Sequence, residues 1–308
     1  MVYIDFINND EELLKQNEIK YNSFLKKGLI FFRKKTSYIS VSNTEFGEIV
    51  QIQNFNNKTY KNLEKILKMY RIKKVCLSNK FKDNEKFEEF LKSNQVMKVT
   101  KEILNKYLIQ EVIEFVCNSK EEKIQYQEIS FLINKNNIIT NLIINNIAKI
   151  VKNVNVITIN QNQFRTLENR LYNNDGIVLN LTNNYKKSLM NSNVIINFDF
   201  SQEQINRYDI PKYACIIDFS KNNININKKS FEGLNIGNFK YSVNKNIDNN
   251  KFKSFDKEDF YSSLLVKNSN QENILNRVKK DNVRIIELYG KNGVIRKKEF
   301  DKLKRNLI

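Results

Sequence analysis

The sequence predicts an α/β protein built on a parallel sheet, and two observations carry this. Between Gln127 and Phe219 five short apolar runs follow one another: EISFLIN from Glu128, NVITIN from Asn155, IVLNL from Ile177, NVIINF from Asn193 and ACIIDF from Ala214. The first two gaps between these runs hold longer segments with helical spacing. Strands that alternate with helices read as βαβ units, in which the crossover makes neighbouring strands parallel.

The rest of the chain is read around this block. Val2 to Phe6 is a strand, and Asn9 or Asp10 caps a helix that ends near Lys27, with Gly28 as its stop signal. LIFFR from Leu29, SYISVS from Ser37 and EIVQIQNF from Glu48 are strand-like and are expected to form a small meander. Residues 57–70 read as a helix, KKVCLS from Lys73 as a strand and residues 84–92 as a second helix. Residues 1–98 are therefore expected to be a smaller N-terminal mixed α/β domain. Residues 100–118 carry Ile103, Leu104, Tyr107, Leu108, Val112, Ile113, Phe115 and Val116, an apolar face wide enough to call for burial. This stretch, within 99–126, is expected to be an interdomain helix and linker, with the sheet domain over 127–220. Residues 221–308 are expected to begin as an Asn-rich excursion that either holds one short strand or is partly mobile. They continue as helices over 254–267 and 271–280 that pack at the domain junction, and VRIIEL-YGKNG-VIRKK closes the chain as a hairpin or a strand-turn-helix.

Composition narrows the function classes. The 308 residues contain no histidine, which removes the usual general base and the commonest metal ligand. Cys76, Cys117 and Cys215 lie far apart inside apolar runs, read as buried thiols, and have no metal-ligand spacing; no metal is expected. No apolar run approaches the roughly 20 residues of a membrane span, and the N-terminus lacks the pattern of a signal peptide, so a cytoplasmic, membrane-free protein is expected. The formal charge of +18 leaves nucleic acid open as a partner. The same charge follows from AT-rich coding, which favours Lys, Asn and Ile, and the basic residues are spread along the chain without long runs. The oligomeric state is left open.

In an open parallel sheet, ligands bind beyond the carboxyl ends of the strands where the strand order reverses. A dinucleotide-binding turn there needs glycines, so that the backbone can approach a pyrophosphate. Here the turn after the first strand reads Asn134-Lys135-Asn136-Asn137-Ile138-Ile139, and no glycine occurs between Gly47 and Gly176. The second strand ends at Ile159-Asn160-Gln161-Asn162, without the acidic residue that would hold an NAD ribose.

The order of elements, the buried helix before the sheet and the stretch Ser192-Asn193-Val194-Ile195-Ile196-Asn197 resemble the C-terminal domain of shikimate dehydrogenases, and the similar domain of glutamyl-tRNA reductases. The resemblance implies a Rossmann-like domain, a nicotinamide beside the strand that ends at Asn197, and NADP as cofactor. Residues 160–170 resemble the region where that family holds the NADP phosphate with an Asn-Arg-Thr cluster, but Arg165-Thr166 arrives several residues late, inside the expected helix. The family's catalytic Lys and Asp have no matching position, and its glycine loop is missing.

Asn134, Lys135, Asn136, Asn160, Asn197 and Asp218 are the candidate ligand-binding residues, at or just after strand ends, and Asp199 is the candidate catalytic one. Each has a plainer reading: Asn and Asp suit turns at strand ends, and Lys135 suits solvent as well as an anion at a helix N-terminus. Gly290-Lys291-Asn292-Gly293 reads as an anion-binding turn or a tight turn. Two functions are expected to compete. One is a dehydrogenase-derived Rossmann-like protein that binds a small ligand or nucleotide in the crevice without a recognisable catalytic set. The other is a basic protein- or nucleic-acid-interaction module that uses the fold as a scaffold.

Overall fold

The computed structural model describes residues 1–6, 39–52, 56–81, 84–220, 224, 226, 231–243, 252–268 and 270–304. The helix expected up to Lys27 and the strand expected from Leu29 lie outside the described residues. In chain order the strands and α-helices begin with β1 (Val2–Phe6), β2 (Ile39–Asn43), β3 (Glu48–Ile52), α1 (Asn57–Met69), β4 (Lys74–Leu77), α2 (Glu85–Ser93) and β5 (Met97–Lys98). Next come α3 (Glu102–Asn105), α4 (Ile109–Ser119), β6 (Glu128–Leu132), α5 (Ile138–Ala148), β7 (Asn153–Ile157), α6 (Arg165–Asp175), β8 (Leu179–Thr182), β9 (Val194–Asn197), α7 (Gln202–Asn206) and β10 (Cys215–Asp218). The chain ends with β11 (Leu234–Ile236), β12 (Asn238–Ser242), α8 (Lys257–Asn268), α9 (Gln271–Lys280), β13 (Arg284–Gly290), β14 (Gly293–Val294) and α10 (Lys297–Lys304). These elements fall into two compact units: Met1–Ile103 with Lys245–Asn270, and Leu104–Asn244 with Gln271–Ile308.

The first unit is a five-stranded sheet in the order β2-β3-β1-β4-β5. Of the expected meander, β2 and β3 pair antiparallel, and its first strand lies outside the described residues. Only β2 and β3 are antiparallel, while β3, β1, β4 and β5 run parallel. In β1, at the centre of the sheet, Tyr3 and Ile4 face opposite sides and both are fully buried. A strand covered on both faces takes a central place served by crossovers. On one face Ile4, Val50, Leu63, Ile66, Phe81 and Phe87 form a core. On the other, Tyr3, Ile49 and Cys76 meet Phe252, Phe255 and Phe260, with the Tyr3 and Phe252 rings 4.8 Å apart. This aromatic cluster ties the late segment of the chain to the first unit. Asn56 caps α1 and Asn84 caps α2, each accepting from an amide of the first turn.

The second unit carries a six-stranded, wholly parallel sheet in the order β11-β10-β9-β6-β7-β8. Counted from β6 along the chain this is 3-2-1-4-5-6, the Rossmann order. All five runs named from the sequence are its strands, and the sixth, β11, comes from the Asn-rich excursion, where one short strand was expected and the described residues hold two, β11 and β12. The apolar stretch expected as one helix is interrupted: α3 gives way to a 3₁₀ turn at Lys106–Leu108 before α4, with no proline or glycine to account for the break. Asn137 and Thr140 close a reciprocal capping box at the start of α5. Gly176, at φ +67°, ends α6 in the left-handed conformation that favours glycine. A line of polar side chains crosses the sheet. Asn180 Nδ2 donates to Asn155 Oδ1 at 3.0 Å, Asn155 Nδ2 donates to Ser130 Oγ at 3.2 Å, and the Ser130 and Ser192 hydroxyls bond each other.

A small antiparallel sheet, β12-β13-β14, completes this unit. Both closing motifs expected from the sequence occur in succession, a hairpin from β13 to β14 and then α10. Among the described residues no helix is long and apolar enough to cross a membrane.

Candidate functional site at the switch point of the parallel sheet

β6 and β9 are neighbours in the sheet, and the chain leaves them in opposite directions, β6 toward β7 and β9 toward β10. The loops after these two strands therefore face each other across the switch point, where an open α/β sheet binds its ligand. Here a carboxylate spans the gap. Asp199, from the loop after β9, accepts from the Asn134 amide at 2.7 Å with Oδ1 and from the Lys135 amide at 2.8 Å with Oδ2. Both distances are in the range of charge-assisted bonds.

The turn after β6 is braced from its other side as well. The Asn136 amide donates to Gln163 Oε1 at 3.2 Å, and Asn136 Nδ2 donates to the Gln163 carbonyl. Asn160 Nδ2 donates to the Asn134 carbonyl at 3.2 Å, and the Ile159 amide donates to Asn134 Oδ1 at 3.3 Å. One network thus joins the candidates Asn134, Lys135, Asn136, Asn160 and Asp199. Gln163, its sixth member, carries no motif or spacing that marks it in the sequence. Ile138, the first residue of α5, and Ile159 are 69% and 59% exposed, so two apolar side chains stand in solvent beside the polar network.

Asn197 and Asp218 belong to a second network beneath the first. Asn197 is fully buried. Its Oδ1 accepts from the Phe200 amide at 2.9 Å, and its Nδ2 donates to the Phe200 carbonyl at 3.2 Å and to Asp218 Oδ1 at 2.9 Å. Asp218 Oδ1 also accepts from the Ser220 amide at 2.9 Å, and Oδ2 accepts from the Ile224 amide at 2.8 Å. These bonds set the turn on which Asp199 sits, one residue before Phe200.

Both oxygens of Asp199 and both of Asp218 are engaged by donors. Arg165 forms a short-range ion pair with Glu168 at 2.8 Å on the surface of α6. Gly290 to Gly293 is the two-residue hairpin turn between β13 and β14, the tight-turn alternative. The three thiols are buried and free. Among the described residues no group of three or more Cys, Asp or Glu is placed to hold a metal ion.

No protein-family model matches the sequence, and no curated protein does. Solved structures of similar layout include a shikimate dehydrogenase in complex with NADP+, at 8% identity and a TM-score of 0.33 over 91% of this chain and 94% of that one. Dipicolinate synthase A chain from Bacillus subtilis is similar at 12% identity and a TM-score of 0.41, over 91% and 97% of the two chains. L-tryptophan dehydrogenase from Nostoc punctiforme is similar at 9% identity and a TM-score of 0.36, over 99% and 87%. At such identities and TM-scores the likeness says nothing about activity. The strand order itself establishes the second unit as a Rossmann-like α/β fold.

Proposed function

We propose that this chain binds a small molecule, a nucleoside or nucleotide among the candidates, in the crevice at the carboxyl ends of β6, β7 and β9. It does so without an acid–base set of its own. The observation that carries this reading is the pairing of exposed Ile138 and Ile159 with the polar network of Asn134, Asn136, Asn160 and Gln163 at the switch point. Ligand sites combine apolar surface with a few convergent polar groups in this way. The chain has no histidine, and the two crevice carboxylates have both oxygens occupied, which favours holding a ligand over transforming one.

Thermal unfolding with and without adenosine, nicotinamide, S-adenosylmethionine, ATP, NAD and NADP tests the reading. A ligand of the native state at a hundredfold excess over its Kd adds about 2.7 kcal/mol of stability. The expected result is an upward shift with at least one compound, abolished by Ile159→Glu. No shift with any compound, or a shift indifferent to Ile159→Glu, removes the crevice from the function. The competing reading, an interaction module, draws on the charge of +18. Binding of mixed-sequence RNA that weakens steeply with salt would favour it.

A further inference from the structure

We infer that Asp199 is the specificity-determining residue of the crevice. Its carboxylate is a built-in anion on the Asn134 and Lys135 amides, and it restricts the crevice to ligands that are uncharged or cationic where a dinucleotide carries its pyrophosphate. The inference rests on the crevice reading above and gives that ligand its chemical class.

Three features point to a placed anion and not a chance contact. The two amides belong to consecutive residues at the turn between β6 and α5, and they converge on one carboxylate from a loop more than sixty residues further along the chain. The carboxylate is held from both sides, by buried Phe198 before it and buried Phe200 after it. Phe200 is in turn gripped at its amide and its carbonyl by the Asn197 side chain. Finally, the turn has no glycine, and the side chains of Asn134 and Asn136 brace it, although Asn136 Oδ1 has no hydrogen-bond partner among the described residues. An incoming phosphate would have to expel a tethered carboxylate already in place and then lie beside its charge. A tethered group competes at a high effective concentration, and like charges at contact distance repel. Exposed Lys135, on the same turn, is a cation that such a phosphate would otherwise meet.

The test titrates the full chain, as wild type, Asp199→Ala and Asp199→Asn, with sodium pyrophosphate and with NADP+ by calorimetry. Wild type is expected to bind neither measurably, and Asp199→Ala is expected to gain at least tenfold in affinity for both. Asp199→Asn removes the charge while keeping the shape, and takes the place of Asp199→Ala should that variant not fold. Tight binding of NADP+ or pyrophosphate by wild type overturns the inference whatever the variants do, and so does a folded variant that gains nothing. The crevice reading fails separately. If no neutral or cationic compound binds wild type, yet Asp199→Ala gains pyrophosphate, the role of Asp199 stands and the ligand reading falls.

Discussion

Asn197→Asp alters chemistry without altering shape, and the structure sets the size of its effect. The substitution keeps the oxygen that accepts from the Phe200 amide and replaces the donor with an oxygen that faces the Phe200 carbonyl and Asp218 Oδ1. Two unit charges 2.9 Å apart repel by about 6 kcal/mol at an effective dielectric of 20. The variant has a cheaper course, because two carboxyl groups this close do not both ionise and one keeps a proton. For a carboxyl with an unfolded pKa of about 3.9, each pH unit above that value costs about 1.36 kcal/mol, so holding the proton at pH 7 costs about 4 kcal/mol. The smaller figure governs. The protonated group also recovers a donor for Asp218. Its folded pKa is raised above the unfolded one, so stability is fully present below about pH 3.9 and is lost as pH rises toward the folded value. The deficit against wild type is then expected to be about 4 kcal/mol at pH 7 and about 1 kcal/mol at pH 4.5. Urea unfolding of both proteins at the two pH values measures it. An equal deficit at both, or none at pH 7, would refute the placement of the Asn197 donor against Asp218.

Glu111, on α4, has a buried Oε2 without a hydrogen-bond partner, and burial pushes its carboxyl up to about 7, helped by Glu114 and opposed by its own backbone bond and Lys279. A raised carboxyl gives its full stability below an unfolded pKa of about 4.3 and loses it as pH rises through about 7. Glu111→Gln is therefore expected to exceed wild type by on the order of 3 kcal/mol at pH 8, with the gain vanishing near pH 4.5; a gain that does not change with pH in urea unfolding would count against this. Burial raises all three thiols, Cys117 to about 11 and Cys215 to about 12, with Cys76 raised further. Since the thiolate is the nucleophile, a disulfide reagent at pH 8 is expected to find three thiols only after unfolding, and rapid modification of any one in the folded protein would contradict the burial.

The parallel sheet was legible because its strands are covered on both faces. Ile195, Ile196, Ile216 and Ile217 are each at most 1% exposed, and such strands read as unbroken apolar runs bounded by Asn and Asp. The position of β11 and its place at the sheet edge were not legible, since three residues between Gly233 and Gly237 in an Asn-rich stretch carry no period. Nor was the return of Phe252, Phe255 and Phe260 to the sheet of β1, because an aromatic side chain announces burial but not against which strand. At the site, the strand-end positions of Asn134, Asn160, Asn197, Asp199 and Asp218 followed from the strand assignments. Their partners did not. Whether Asp199 meets a ligand, solvent or the amides of Asn134 and Lys135 depends on a contact between distant segments that no local pattern encodes.

The line from Asn180 through Asn155 and Ser130 to Ser192 bears on how this sheet finds its alignment. β6, β7 and β9 bury isoleucine, valine and phenylalanine along most of their length. Sliding one strand past its neighbour by two residues returns every side chain to the same face, and hydrocarbon would still meet hydrocarbon. Ser130, fully buried, has no such tolerance. Were β6 to slip so that Ser130 met Ile157 of β7, its hydroxyl would leave both Asn155 and Ser192 and lie against alkyl groups, at a cost of about 1–3 kcal/mol. The ladder is thus an alignment key, and it discriminates where burial alone is nearly degenerate. In a chain drawn so heavily from isoleucine and asparagine, the isoleucines settle which faces turn inward, and the amides and hydroxyls settle where along its neighbour each strand comes to rest.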